Sequence, residues 1–258
     1  MLALFLQTHL PLLFGLLFLT GLIAGTVDTI AGGGGLLTVP VLMLTGVPPA
    51  LVLGTNKLQS CFGSTTAAVQ FIKKGKLAFR EYGVGLLSAG LGGALGALSL
   101  LALNADFLEK LLPLFLIAVM VYMIISPQRG LHDHPPRISP PIFFMLAGLV
   151  LGFYDGFFGP GTGSFWPVTI IALLGYNIKK ATWHAKICNA GSNIAALCCF
   201  MVSGHVMWSI GLMMALGQLL GARIGAHIVM SRSTRWIKPV FLSMSGLVLV
   251  SVLFQKFF

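Results

Sequence analysis

Acidic side chains are scarce in this chain: six Asp and Glu stand against sixteen Lys and Arg in 258 residues. Charge of either sign is thin, at 9%, while 57% of residues are hydrophobic. A soluble globular domain carries about 25% charged residues, so a water-covered core is excluded. Long polar stretches are missing too. The one extended polar connection is Ser126–Ser139, with Pro127, Pro135 and Pro136, which leaves no room for a separate soluble domain. Without a soluble basic face, the net charge of +10 gives no reason to expect nucleic acid as a partner. A bias of Lys and Arg toward cytoplasmic loops accounts for it instead. Cys61, Cys188, Cys198 and Cys199 lack CxxC spacing and neighbouring histidines. No metal site and no cofactor is therefore expected, and these cysteines read as small buried residues. No Ser/His or His/Glu cluster has hydrolase or zinc spacing, which argues against an intramembrane enzyme. The N-terminus has neither a basic region nor an A-x-A site and reads as a retained first span.

What is present is a series of apolar runs of membrane-crossing length, about 20 residues each. Spans are expected at Leu10–Ile30, Gly54–Ile72, Tyr82–Leu103 and Leu111–Ile125, then at Pro141–Phe158, His184–Val202, Trp208–Met230 and Pro239–Phe254. Two shorter arms, Leu36–Leu44 and Ser164–Leu174, follow glycine-rich breaks. Each broken segment enters and returns on one side, either as two spans or as a hairpin. At about 1.5 Å per residue the arms are short for a full crossing, which fits a re-entrant or partly re-entrant arm. The expected class is an all-α polytopic protein whose partner is the lipid bilayer.

The first break is the stretch Gly25-Thr26-Val27-Asp28-Thr29-Ile30-Ala31-Gly32-Gly33-Gly34-Gly35, closed by Pro40. It has a copy. Gly21, Gly25, Asp28, Gly32, Gly34 and Pro40 recur as Gly148, Gly152, Asp155, Gly159, Gly161 and Pro167. After a two-residue slip, Gly46, Lys57, Phe71, Gly75, Gly92 and Gly96 recur as Gly175, Lys186, Phe200, Gly204, Gly221 and Gly225. The chain is a tandem duplication. Residues 1–126 form a first transmembrane repeat, 127–140 a cytoplasmic linker and 141–258 a second repeat.

Loop charges give the orientation. Lys73, Lys74, Lys76 and Arg80 crowd one loop whose counterpart near Ser203–Trp208 has no Lys or Arg. Lys179 and Lys180 stand opposite the uncharged Thr45–Ala50, and Arg232, Arg235 and Lys238 opposite Asn104–Lys110. Charge changes sides between the halves at every loop, as it must when two repeats have inverted topology. With Arg129 and Arg137 in the linker, the inner side gathers the basic residues and both termini lie outside. Each repeat is then a glycine-broken helical hairpin followed by three spans. Stripes of small residues, Gly85, Ala89, Gly93 and Ala97, and Gly217, Gly221 and Gly225, fit close helix packing.

The candidate site follows from what is costly at membrane depth. Only Asp28 and Asp155 among the acids fall within spans. A charge there faces a partner or a watery cavity, so each is either a coupling or gating carboxylate or an ion-pair member that locks the break. The plain form of the second reading pairs each aspartate with the lysine of its own half, Asp28 with Lys57. Gly32, Gly33, Gly34 and Gly35, and Gly159, Gly161 and Gly163, either free backbone N–H groups for an anion next to a helix start or merely permit a tight hairpin. Lys57 and Lys186 sit among donors: Asn56 and Gln59 in the first half, Asn189 and Asn193 in the second. Such helices suit an oxyanion, and the alternative is that both lysines snorkel toward headgroups. Arg223 has no counterpart and reads as a snorkelling residue, His184 as a polar helix-end residue.

The run from Gly25 through Leu36-Leu37-Thr38-Val39-Pro40, with Gly54-Thr55-Asn56-Lys57, resembles the sulfite exporter TauE/SafE family. So does Gly152-Phe153-Tyr154-Asp155-Gly156-Phe157-Phe158-Gly159-Pro160-Gly161-Thr162-Gly163-Ser164, with His184-Ala185-Lys186 after it. The resemblance implies a multi-pass permease of the bacterial inner membrane that moves sulfite, sulfonates or related sulfur-containing anions. A secondary transporter with a small anionic substrate is the first reading and an anion channel on the same scaffold the second. A homo-oligomer is compatible with either.

Overall fold

Backbone amides in hydrocarbon need partners within the chain, so spanning segments fold as helices or closed barrels. This chain takes the first course. The computed structural model describes residues 10–44, 46–75, 77–108, 110, 111, 114, 117, 118, 121 and 132–231. Among them the elements are α1 (Leu10–Ala31), α2 (Gly34–Met43), α3 (Pro49–Gly75), α4 (Phe79–Leu101), α5 (Pro140–Phe157), α6 (Thr162–Leu174), α7 (Ile178–Val202) and α8 (Trp208–Ser231). Five helices, α1, α4, α5, α7 and α8, are long and apolar enough to cross a bilayer, so this is a polytopic membrane protein. The expected span Pro239–Phe254 lies outside the described residues, as does most of Leu111–Ile125.

The arms are short. α2 has 10 residues and α6 has 13, which span roughly 15 and 20 Å against a hydrocarbon core of about 30 Å. Each folds back on the helix before it: Gly34 abuts Asp28 and the Ala24 carbonyl of α1, and the rings of Phe165 and Tyr154 meet edge to face between α6 and α5. The break before each arm is a helix end that glycine makes tight. Gly32 turns the chain with φ +76° and Gly161 with φ +87°, the left-handed region that costs a side-chain-bearing residue about 1–2 kcal/mol.

α3 and α7 begin earlier than hydropathy indicates. Pro49 opens α3 in the first-turn position it favours. Asn177 caps α7 by accepting the Lys180 N–H at 3.0 Å. Lys57 and Lys186 are thus each eight residues inside their helices, about two turns from the end.

α3 and α7 run antiparallel through the centre: Phe71 stacks on Trp183 at one end, Lys57 bonds Asn193 further along, and Gly54 lies against Phe200 at the other. Around them the packing is reciprocal. α1 lies against α8, where a Cβ on Gly221 would fall 2.1 Å from the Leu22 carbonyl oxygen. α5 lies against α4, where a Cβ on Gly92 would fall 2.4 Å from that of Leu149. These contacts correspond residue for residue under the duplication. Leucines on the outer faces, Leu87, Leu91 and Leu95 on α4 and Leu212, Leu216 and Leu220 on α8, are exposed where lipid would cover them.

Basic residues gather at one end of the bundle. There the last turn of α3, with Lys73 and Lys74, meets the start of α7, and Lys179 donates to the Met230 carbonyl near the end of α8. The backbone N–H of Arg137 donates to the Leu173 carbonyl at the end of α6. Arg223 is exposed on α8. The cysteines correct one expectation: Cys188 is buried, but Cys198 is exposed and Cys61 and Cys199 are only half-buried. Both helices put their polar residues inward and leave apolar ones on both the core and outer faces, so hydropathy alone cannot tell a lipid-facing position from a core one.

Candidate functional site

The two hairpin tips meet inside the bundle. A Cβ on Gly32 would fall 2.0 Å from the Gly163 carbonyl carbon, and one on Gly35 would touch Pro160. Ser164 of α6 donates its hydroxyl to the carbonyl of Ala31 at 3.0 Å and is also within reach of that of Gly32. The tips and the central helices border a small polar cavity with an open mouth. Its walls carry Asp28 and Asp155 from the hairpins, Lys57 and Asn56 from α3, and Asn189 and Asn193 from α7.

The charges pair across the halves. Lys57 Nζ lies 2.9 Å from Asp155 Oδ1, and Lys186 Nζ lies 2.7 Å from Asp28 Oδ2. This overturns the pairing of Asp28 with Lys57 expected from chain proximity. The hairpins cross the midline of the molecule, so each carboxylate reaches the other half's lysine. Snorkelling is overturned as well. Both lysines are 1% exposed and two turns deep, beyond the reach of a side chain toward headgroups.

The partner sets differ. Asp155 is 2% exposed. Besides Lys57 it accepts from Asn189 Nδ2 at 3.2 Å and Ser192 Oγ at 2.5 Å. Asp28 is 19% exposed and accepts one further bond, from the Gly34 N–H at 3.2 Å. That amide opens α2, so the carboxylate itself occupies the helix N-terminus where an anion is favoured. Lys57 also donates to Asn193 Oδ1 at 3.2 Å.

Gly35, Gly159, Gly161 and Gly163 line the cavity with their backbone. Gly32, Gly33, Gly34, Gln59 and Lys186 are set back from it: Gly32 forms the tip contact, Gly33 caps α2, Gly34 binds Asp28 and Lys186 stands behind Asp28. Gln59 Nε2 donates to Asn56 Oδ1 at 2.7 Å and to Thr38 Oγ1 at 3.0 Å, which ties the α2 arm to α3. Ser60, which also lines the cavity, and Ser192 stand in the sequence among the polar neighbours of the two lysines, whereas sequence reasoning gave no role to Ser164 or Thr38. Their signal was available only as hydroxyls one helical turn from a marked residue. His184 is buried, its Nδ1 2.9 Å from the Lys180 carbonyl and its ring stacked on Phe144. Among the described residues no group of His, Cys, Asp and Glu has a metal-holding arrangement.

Comparison with known proteins places the chain in a family of membrane transporters. The family model for the sulfite exporter TauE/SafE matches residues 17–252. The probable membrane transporter protein YfcA of Escherichia coli strain K12 is 41% identical over 246 residues, covering 95% of this chain and 91% of its own. A probable membrane transporter protein of Haemophilus influenzae strain Rd is 39% identical over 244 residues, covering 95% and 96%. More distantly, the probable membrane transporter protein YunE of Bacillus subtilis is 25% identical over 249 residues, covering 87% and 91%. No solved structure matches significantly. With the family model matched across nearly its whole length, this chain belongs to the sulfite exporter TauE/SafE family of membrane transporters.

Proposed function

We propose that this membrane transporter is a secondary transporter for small sulfur-containing anions, such as sulfite or sulfonates, in a bacterial inner membrane. The observation that carries the reading is the meeting of buried Lys57, two aspartates and two glycine-rich tips at one polar cavity, with Lys186 directly behind Asp28. Lys57 uses two of its three ammonium protons on Asp155 and Asn193, which leaves one for a ligand. The asparagine amides and the backbone of the tips add neutral donors suited to oxyanion oxygens. An aspartate serves as a coupling group wherever an anion competes with it for its lysine.

The reciprocal packing and antiparallel course of α3 and α7 support inverted-topology repeats, with the basic end in the cytoplasm and both termini outside. Transporters of that architecture bind substrate where discontinuous helices meet near the midplane. The tip contact between Gly32 and Gly163 favours alternating access over the open path of a channel.

Thermal-shift titration of the purified protein with sulfite, sulfoacetate, taurine, sulfate and thiosulfate, followed by flux into proteoliposomes, tests this. Lys57→Gln should weaken binding of the best anion. One lost charge-assisted bond costs roughly 1.5–3 kcal/mol, or about tenfold to more than a hundredfold in affinity. Unchanged anion binding by Lys57→Gln and Lys186→Gln would remove the site.

A further inference from the structure

Asp28 and Asp155 face one cavity but hold their lysines differently. We infer that Asp28 alone is the coupling carboxylate: it takes up a proton as the anion replaces it on Lys186, while Asp155 stays bonded to Lys57 throughout. This rests on reading the cavity as an anion site.

Asp155 is fully engaged. One oxygen takes Lys57 and the other takes both Asn189 and Ser192, with almost no exposure. A proton on it would use up an acceptor position that a buried donor now fills, and would strip the buried Lys57 of its counter-charge. Asp28 has one donor per oxygen, Lys186 on one and the Gly34 amide on the other. It also has an edge open to the cavity, so a proton has a route and a free lone pair. Asp28 is the only acceptor recorded for Lys186 among the described residues, whereas Lys57 keeps Asn193 as well. The replaceable partner is therefore on Lys186.

The charge count closes for a monoanion. Before binding, Asp28 and Lys186 sum to zero. Afterwards a neutral Asp28 carboxyl, the Lys186 ammonium and one bound negative charge again sum to zero. No bond to carbon forms or breaks. The other charged groups around Asp28 are Lys57 of α3 and Asp155 of α5, on the walls of the same cavity, and they cancel one another. α2 and α6 carry no titratable side chain, and Arg223 and His227 of α8 are exposed on the outside of the bundle. One proton should accompany each monoanion.

Methanesulfonate is a suitable probe, since its own charge does not change with pH. Titration calorimetry of the purified full-length protein in two buffers of different ionisation enthalpy counts protons taken up per anion. The wild type should take up one proton, and its affinity should rise as pH falls, approaching about tenfold per pH unit. Asp28→Asn should bind with no proton uptake and no pH dependence, whereas Asp155→Asn should keep the one-proton uptake. Should Asp28→Asn not fold, Asp28→Glu keeps the charge and should displace the pH profile, and Asp155→Glu should leave it in place. Anion binding by the wild type without proton uptake, or uptake lost in the Asp155 variants and kept in those of Asp28, overturns the inference and leaves the anion site standing. No methanesulfonate binding at any pH removes both.

Discussion

The two halves of this protein keep one charge pattern and dress it differently. Each sets a lysine eight residues into a long helix and an aspartate four residues before a left-handed glycine. In the first half the polar support lies beside the arm: Thr38 and Gln59 both donate to Asn56 Oδ1, at 2.6 and 2.7 Å. The counterparts of Asn56 and Gln59 in the second half are Ala185 and Cys188; there Asn189 and Ser192 bond Asp155, and Asn193 accepts from Lys57. One cavity with unequal walls has one tightly held carboxylate and one loosely held. Symmetry places the charges, and the asymmetric dressing decides which of them is free to change partner.

The difference is sharpest at the tips, where the largest effect is expected. Gly32 and Gly159 correspond and both have positive φ, yet a Cβ on Gly32 would overlap the Gly163 backbone at 2.0 Å. On Gly159 the nearest atom, at 2.9 Å, is the end of the Lys57 side chain, which can shift. Gly32→Ala should therefore eliminate folded, active protein, while Gly159→Ala should still yield protein destabilised by about 1–2 kcal/mol. Thermal unfolding in detergent with flux in proteoliposomes reads both, and equal behaviour would break the distinction.

Next in size is the loss of a carboxylate. Asp155→Asn leaves Lys57 buried without its counter-charge, a change that costs about 3–5 kcal/mol. Asp28→Asn should cost less, because Asp28 is partly exposed and makes fewer bonds. Because the pairs cross the halves, Asp155→Asn with Lys57→Gln should recover stability and Asp28→Asn with Lys57→Gln should not. Melting temperatures of the two double variants decide it.

A smaller effect is expected at Ser164. Its hydroxyl bonds the first hairpin, and the corresponding residue, Leu37, has no hydroxyl to return the bond. Ser164→Ala should lower stability by about 1 kcal/mol, seen as a small drop in melting temperature, and should change the transport rate more than anion affinity. A change confined to affinity would place Ser164 among the binding groups rather than at the junction of the tips.

The sequence by itself determined the class, the recurring residue pattern, the breaks and the residues worth asking about. Apolar length, the recurrence of Asp28 as Asp155 and Lys57 as Lys186, and four glycines in an apolar run are all linear properties. Helix starts at Pro49 and Ile178 were harder to read, because a proline opens the first and two lysines fill the first turn of the second, and both resemble a loop in a linear profile. Only the tertiary structure decided which lysine each aspartate meets, that both lysines lie beyond snorkelling reach, and that Ser192 and Ser164 hold the two hairpins. Those facts depend on how two hairpins cross between antiparallel helices. A bond such as Lys186–Asp28 joins residues 158 positions apart, and spacing along the chain carries no information about a contact that the other half supplies.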